Sequence, residues 1–216
     1  MGYVSHSGYL WYNGPDAVEN LPIGSHEQGI IEAVEQLLPH IQCRVLVDVG
    51  AHYGLYTVRL AKHFREVWAF EPHPHNFSIL LTNIGLNSIK NVKAHRVALW
   101  DKDDEAGLEV EPGNDPAKVS GRFRVAETAG TIAVPVRRLD TLDPPEVSYI
   151  KVDVEGYAHR VLRGALNTLK KHRPVIQIEY YGEEEIQGCL QVLDMFGYRE
   201  YRRFPYPPYF LSIYMR

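Results

Sequence analysis

Short apolar runs alternate with stretches of helical periodicity along most of the chain. Val45–Val49 is rich in β-branched residues, a pattern typical of a strand buried on both faces of a sheet. Similar runs predict strands at residues 67–70, 92–99, 131–137, 149–154 and 175–179. Apolar residues at helical spacing predict helices at residues 25–39, 55–63, 77–85, 158–169 and 186–193. The last two apolar runs, at residues 198–201 and 210–214, flank a Pro-rich turn and predict an antiparallel pair.

This order of elements predicts an α/β fold. Strands that alternate with helices form a mostly parallel sheet with helices on both faces. We therefore predict a doubly wound, mostly parallel seven-stranded sheet with a C-terminal antiparallel strand. In such sheets ligands bind outside the carboxyl ends of the strands, where the strand order reverses. Functional residues are accordingly expected just after each strand.

Two segments are expected to lie outside the regular alternation. Residues 1–43 are predicted to form an N-terminal arm and helix, and residues 44–216 a single main domain. Within that domain residues 101–130 are rich in Asp, Glu, Gly and Pro, which makes them the candidate substrate lid. The candidate substrate contacts in this excursion are Gly113, Asn114, Ser120 and Arg122.

Charge and cysteine content exclude several classes of protein. The formal net charge of −4 over 216 residues does not favour binding of a polyanion, so we expect no nucleic-acid partner. The two cysteines, Cys43 and Cys189, lack the spacing of a disulfide framework or a thiolate metal site. No apolar stretch is long enough to span a bilayer, and no signal pattern opens the chain. We therefore expect a cytoplasmic protein with no membrane partner; the pattern indicates no particular oligomeric state.

The first strand of the main domain ends in a glycine turn that contains Asp48, Gly50 and Gly54. Glycine lets a ligand approach the backbone because no Cβ intervenes. Dinucleotide sites use G-x-G-x-x-G, and the intermediate glycine is missing here. The spacing therefore favours S-adenosylmethionine (SAM), which has no phosphate, and Asp48 is expected to hold its ammonium group directly or through water. A tight turn with no ligand is the alternative.

Acids after the next two strands extend this candidate site. Glu71 is placed to accept hydrogen bonds from both ribose hydroxyls, and Asp101 to reach the adenine amino group. An acid at position 71 also suits the ribose of NAD, so a nicotinamide-dependent oxidoreductase remains an alternative. For Asp101 the alternative is a solvated acid in an acidic stretch.

Carboxylates after the fourth and fifth strands are the candidate catalytic residues. These are Asp153, Glu155 and Glu179. Side chains two apart on a strand share a face, so Lys151, Asp153 and Glu155 are expected to point together. Three alternative roles fit these carboxylates: one acts as a general base, two bind a divalent cation, or they form an ion pair with Lys151. We assign no metal site from the sequence. The weaker candidates for a base are His52 and His159.

Several segments in this order resemble the FkbM-type methyltransferases, which are class I SAM-dependent enzymes. The resemblance covers about residues 44–180 and includes Asp48-Val49-Gly50-Ala51-His52-Tyr53-Gly54-Leu55-Tyr56, Phe70-Glu71-Pro72-His73-Pro74-His75-Asn76 with Asn83, Ala98-Leu99-Trp100-Asp101, Arg138-Leu139-Asp140-Thr141-Leu142, Ile150-Lys151-Val152-Asp153-Val154-Glu155-Gly156, and Arg173-Pro174 leading to Glu179. The family commonly has Asn where this chain has His52.

The resemblance implies a Rossmann-like fold, SAM as cofactor, and O-methylation of a hydroxyl on a sugar or natural-product-like small molecule. It implies SAM contacts by Asp48, Gly50, Glu71 and Asp101. The remaining predicted cofactor contacts in the matched segments are Ala51, His52, Gly54, Pro72, Asn76, Leu99 and Asp153. The acceptor is thus expected to be a small molecule or carbohydrate. A non-catalytic SAM-binding module is a further alternative.

Overall fold

The computed structural model describes residues 3–12, 27–110, 123–126, 132–206 and 209–216. The strands are β1 (Tyr3–His6), β2 (Tyr9–Tyr12), β3 (Val45–Val49), β4 (Glu66–Phe70), β5 (Val92–His95), β6 (Ala98–Leu99), β7 (Asp104–Val110), β8 (Phe123–Ala126), β9 (Ile132–Arg137), β10 (Val147–Val152), β11 (Val175–Tyr180), β12 (Arg199–Tyr206) and β13 (Tyr209–Met215). The helices are α1 (Glu27–Leu37), α2 (Leu55–Leu60), α3 (Pro74–Leu86), α4 (Leu139–Leu142), α5 (Ala158–Arg163), α6 (Leu166–His172) and α7 (Glu183–Met195).

The main sheet, as far as the chain is described, has seven strands in the order β12-β13-β11-β10-β3-β4-β5. The strands from β11 to β5 are parallel, whereas β13 is antiparallel to both of its neighbours. The predicted doubly wound sheet with a C-terminal antiparallel strand is therefore confirmed. Strand order reverses between β3 and β10, which marks the edge where such folds bind ligands.

Helices cover both faces of the main sheet. Side chains alternate along a strand, so successive residues of β3 face opposite layers. Val45, Val47 and Val49 pack with α5, α6 and α7. Leu46 packs with α1 and α2 on the other side. Burial of aliphatic side chains in two separate layers is the main source of stability in this architecture.

The single strand predicted at residues 92–99 is wrong. β5 ends at His95, opposite Phe70, because its partner β4 also ends there. After a two-residue break, β6 pairs with β9 in a second sheet that also contains β7 and β8. Leu99 and Asp101 therefore lie at the end of a strand in the second sheet, rather than at the end of a main-sheet strand.

The long helix predicted after β10 is instead divided into α5 and α6 at Gly164. A Cβ at Gly164 would lie 1.9 Å from the backbone oxygen of Trp100, so a side chain is excluded there. Asp140 accepts hydrogen bonds from the backbone amides of Asn167 and Thr168, both at 2.8 Å. This carboxylate satisfies free amides at the start of α6, which gives Asp140 a structural role.

The hairpin of β1 and β2 docks on α3 through two asparagine side chains. Asn83 accepts a hydrogen bond from the Tyr12 amide at 2.8 Å. Asn87 accepts one from the Leu10 amide at 2.9 Å and donates one to the Leu10 oxygen at 2.7 Å. These bonds satisfy backbone groups that would otherwise be left at the edge of the hairpin.

The division of the chain into residues 1–43 and 44–216 stays a prediction, as does the lid role of residues 101–130. The predicted helix start at Ser25 and the four candidate substrate contacts of that excursion lie outside the described residues. No helix in the described part of the chain has the length and apolar character needed to cross a membrane.

Candidate active site

The glycine turn after β3 brings two loops of the sheet into backbone contact. Gly50 has a φ of +73°. Its amide and that of Ala51 donate to the Phe70 oxygen at 3.0 and 2.9 Å, and the turn closes with a 2.8 Å bond from the Gly54 amide to Ala51. A Cβ at Gly50 would lie 1.9 Å from the backbone oxygen of Asp153. Both the left-handed conformation and this close approach therefore require glycine.

Glu71, the predicted ribose ligand, lies against the glycine turn at the end of β4. Its Oε2 accepts from the His52 amide at 2.8 Å, and its Oε1 accepts from the His73 amide at 2.9 Å. The Asn76 side chain donates to Oε1 at 3.5 Å. Burial raises the pKa of Glu71 to about 7, although these hydrogen bonds favour the charged form. Of the other predicted cofactor residues of this region, Ala51, His52 and Gly54 belong to the glycine turn, Pro72 to the loop after β4, and Asn76 to the first turn of α3.

Leu99 and Asp101 lie beyond the end of β5, at the end of the second sheet. Leu99 is buried in the apolar layer beside α5 to α7. Asp101 Oδ2 accepts a 2.9 Å hydrogen bond from Arg160 Nη1, and its side chain is 19% exposed. The predicted adenine ligand is therefore an ion-paired acid rather than a fully solvated one.

Alternation along the strands places three polar side chains on the face covered by α1 and α2. Asp48 lies two residues after Leu46, and Lys151 lies two residues after Tyr149. Leu46 and Tyr149 both pack in the layer formed with α1 and α2. The strand register sets Lys151 opposite Asp48 on β3 and opposite Gln177 on β11. A polar row, which includes the Asp48 and Lys151 charges, thus crosses the switch point of the sheet on one face.

Lys151 contacts both an acid of this row and the loops above it. Its Nζ donates to the Gly50 oxygen at 3.1 Å and to Asp153 Oδ2 at 3.3 Å, and it lies 3.7 Å from Asp48 Oδ1. Thr57 donates to the other Asp48 oxygen at 2.6 Å. Burial by itself would lower the pKa of Lys151, but the surrounding carboxylates outweigh burial and leave that pKa raised. The ion pair that the sequence suggested for Asp153 is therefore present, beneath the glycine turn.

The Tyr181 hydroxyl bridges Asp153, which follows β10, and Glu179, which lies near the end of β11. It lies 2.9 Å from Asp153 Oδ1 and 3.0 Å from Glu179 Oε1. Burial and the negative charge of Asp153 raise the pKa of Glu179 to about 8. The structure thus brings Asp153 and Glu179 together, as expected for neighbouring strand ends.

A third carboxylate, which the sequence did not indicate, completes this group. Glu27 is in the first turn of α1, and its carboxylate lies with those of Asp153 and Glu179 so that one oxygen from each is within 4.8 Å of the others. We call these three residues the carboxylate cluster. Burial and the charge of Asp153 raise the pKa of Glu27 to about 7. An acid in the first turn of a helix is ordinary, so its sequence position carries no signal of a site.

Glu155 occupies a different position from the other predicted catalytic acids. β10 ends at Val152, so the strand alternation that would align Lys151, Asp153 and Glu155 stops short of it. Glu155 has a φ of 53° and lies in the loop before α5. Its catalytic role stays a prediction.

The two histidines considered as bases lie in packed surroundings. The His52 ring stacks on the Tyr53 ring with centroids 4.0 Å apart. His159 packs on α7, where a Cβ at Gly188 would lie 2.8 Å from the His159 Cβ. Both histidine side chains are therefore packed against neighbouring residues.

The fold and this edge of the sheet match a known family. Residues 48–203 match the model of the Methyltransferase FkbM domain. The chain resembles a crystal structure of Methyltransferase FkbM from Methylobacillus flagellatus, at 20% identity and a TM-score of 0.55, over 78% of this chain and 43% of that one.

Two curated relatives are also methyltransferases. "Methyltransferase 1" of Beauveria bassiana is 25% identical over 64% of this chain and 65% of its own length. "Hexuronic acid methyltransferase AglP" of Haloferax volcanii is 29% identical over 61% of this chain and 54% of its own length. The match thus spans less than two thirds of each relative.

The family model extends from Asp48 in β3 to Arg203 in β12 and includes the ends of both β10 and β11. This places the chain among methyltransferases rather than nicotinamide-dependent oxidoreductases, with SAM as the methyl donor that the family resemblance implied. The chain belongs to the FkbM methyltransferase domain family.

Proposed function

We propose that this protein transfers a methyl group from SAM to a hydroxyl of a carbohydrate or a similar small molecule. The observation that carries the proposal is the contact between the glycine turn and the loop after β10, at Gly50 and Asp153. It sets the predicted cofactor loop directly beside the acids that would meet an acceptor. A reaction between two bound molecules requires this proximity.

The residues around Glu71 fit the nucleoside part of SAM. Two backbone amides hold the Glu71 carboxylate in place, and Oε2, which accepts only the His52 amide among the described residues, can accept a further hydrogen bond from a ribose hydroxyl. The buried Asn76 Oδ1 has no hydrogen-bond partner among the described residues. An unsatisfied buried acceptor is costly, so a donor from a ligand would relieve it.

The glycine turn and Asp48 would serve the methionine part of SAM. Asp48 is fully buried and already contacts Thr57 and Lys151. We therefore propose that Asp48 acts by holding Lys151 beneath Gly50, and that the exposed part of Asp153 is nearer to the ligand. When bound, SAM supplies the methyl group on a sulfonium.

Asp101, Leu99 and Pro72 remain candidates for the adenine end. Arg160 occupies one carboxylate oxygen of Asp101, which leaves the other oxygen for an amino group. The role proposed for Asp101 therefore requires that it bind Arg160 and the adenine together.

On the acceptor side, Asp153 and Glu179 supply hydrogen-bond acceptors and donors at the edge of the sheet. The name of the Haloferax volcanii relative supports a carbohydrate acceptor. The formal net charge of −4 argues against a polyanion such as RNA.

The proposal is tested by incubating the protein with methyl-labelled SAM and separate acceptors: glucuronic acid, galacturonic acid, their methyl glycosides, neutral sugars and an RNA oligonucleotide. We expect label on a carbohydrate, and the label should survive mild alkaline hydrolysis because a methyl ether does. Release by alkali would place transfer on a carboxylate instead. Label on RNA alone would contradict the acceptor class, and SAM binding without any transfer would indicate a non-catalytic module.

A further inference from the structure

Glu27 is the one acid of the carboxylate cluster that has no hydrogen-bond or ion-pair partner among the described residues. It is mostly buried at the start of α1, and an oxygen of its carboxylate lies within 4.8 Å of those of Asp153 and Glu179. Its partial exposure leaves the carboxylate accessible to a ligand at this edge of the sheet. Its position at the carboxyl edge of the sheet, above the β3–β10 switch point, is where an acceptor would lie.

We propose that Glu27 is the general base that accepts the proton of the acceptor hydroxyl. This inference rests on the proposed function and makes α1 part of the active site. It differs from the roles predicted for Asp153, Glu155 and Glu179.

Asp153 is a poor candidate for the base because its oxygens are already engaged. Lys151 donates to one at 3.3 Å, and the Tyr181 hydroxyl lies 2.9 Å from the other. These two contacts hold the Asp153 carboxylate in a fixed orientation, which suits a positioning role better than transfer of a proton.

Glu179 is a poorer candidate for the base than Glu27 because of its hydrogen bond with Tyr181. The Tyr181 hydroxyl lies within hydrogen-bond distance of both Asp153 and Glu179, but it can donate to only one of them. Both contacts are favourable when Glu179 is protonated and donates to the Tyr181 oxygen while Tyr181 donates to Asp153. The raised pKa of Glu179, caused by burial and Asp153, agrees with this arrangement. Glu179 then already holds a proton.

The surroundings of Glu27 bring its pKa close to neutral pH, where a carboxylate can take up a proton. The negative charges of Asp153 and Asp48 resist a further charge on Glu27, the Lys151 cation opposes them, and a protonated Glu179 adds no charge. Burial and these acids raise the pKa of Glu27 to about 7. A base is most effective when its pKa lies near the working pH.

The reaction balances with Glu27 as the proton acceptor. The acceptor oxygen forms a bond to the methyl carbon as the bond between that carbon and sulfur breaks, and the electron pair of the broken bond remains on sulfur. The hydroxyl proton passes to a Glu27 oxygen and from there to solvent.

The test compares Glu27→Gln with Glu27→Asp and with Glu32→Gln, an exposed acid on the same helix. With the carbohydrate acceptors above, we expect kcat of Glu27→Gln to fall by about 100-fold or more, the usual range for loss of a general base. Glu27→Asp should retain more activity because it keeps a carboxylate, and Glu32→Gln should match the wild type. The Kd for SAM should stay within about twofold in all three variants.

A second measurement does not depend on turnover. In protein labelled with ¹³C at the glutamate carboxyl carbons, the resonance missing from Glu27→Gln should titrate with a midpoint near pH 7 in the wild type. A midpoint near the ordinary 4.5 would overturn the inference.

Other outcomes separate this inference from the proposed function. If the wild type methylates a sugar hydroxyl and Glu27→Gln does so at a similar rate, only the inference fails. If the wild type methylates no hydroxyl, the proposed function fails and the inference fails with it. Loss of wild-type turnover in EDTA, restored by Mg²⁺, would instead make the carboxylate cluster a cation site and overturn the role of Glu27 as base.

Discussion

Gly50 and Asp153 are in contact through their backbones, with the Asp153 oxygen 1.9 Å from where a Cβ of residue 50 would stand. The turn that would receive the cofactor and the loop that carries an acid of the acceptor site are therefore one structural unit. A change at either position is transmitted to the other because backbone atoms cannot move aside as a flexible side chain can.

Gly50→Ala is expected to disrupt this unit. A positive φ costs a non-glycine residue about 1–3 kcal/mol, and the Cβ would in addition overlap the Asp153 oxygen. We expect a lower melting temperature and at least about tenfold weaker SAM binding, measured by calorimetry. Gly85→Ala is the matched control, since Gly85 lies in α3 with no atom within 4 Å of its Cβ position. Wild-type SAM affinity in Gly50→Ala would show that the contact is dispensable.

Glu71→Ala is expected to weaken SAM binding several-fold or more, because it removes the proposed ribose acceptor. The pKa of about 7 further predicts that wild-type affinity falls by about tenfold between pH 8 and pH 6, as the carboxylate takes up a proton. Glu71→Gln should lose this pH dependence. Calorimetric titration at several pH values measures both effects, and unchanged affinity in Glu71→Ala would undo the ribose assignment.

Asp153→Asn is expected to abolish most turnover while SAM affinity stays within about twofold. The variant keeps one acceptor oxygen and replaces the other by an NH₂ donor, so it cannot accept from both Lys151 and Tyr181, and the orientation of the acceptor side of the site is lost. Asp143→Asn, at a position 81% exposed, is the control. A large loss of SAM affinity in Asp153→Asn would move this residue to the cofactor side.

Glu179→Gln is expected to stabilise the protein at alkaline pH. The folded state raises the Glu179 pKa from 4.5 to about 8 through burial and Asp153, so folded protein binds a proton that the unfolded chain releases between these values. The stabilising contribution of the proton is complete below pH 4.5 and is lost as pH rises through 8. Among the described residues, Asp153, Lys151, Tyr181, Glu27 and Tyr56 are charged or titratable groups that interact with this carboxyl.

Calorimetric melting curves between pH 5 and pH 9 measure this effect. At pH 9 the variant should melt above the wild type, by about 2–4 °C for each kcal/mol of repulsion removed. The difference should shrink at pH 5, and Glu32→Gln should show no such trend. If the variant melts below the wild type at pH 9, ionised Glu179 does not destabilise the folded protein at alkaline pH and the prediction is wrong.

The sequence determined the layered architecture because the evidence for it is local. Runs such as Val45–Val49 fit only a doubly covered strand, and their alternation with helical periods leads to a parallel sheet. That order also brought Asp153 and Glu179 to the same edge, since carboxyl ends of parallel strands coincide.

Other features of the fold and of the site depend on contacts between residues far apart in the chain, so only the tertiary structure reveals them. β5 ends at His95 because its neighbour β4 ends opposite it. Arg160 forms an ion pair with Asp101. Neither contact can be predicted from the residues adjacent in sequence. Glu27 is the clearest case, because in sequence it is an ordinary acid of a first helical turn. Only the packing of α1 against the sheet brings it to Asp153, and only burial among like charges makes that proximity chemically significant.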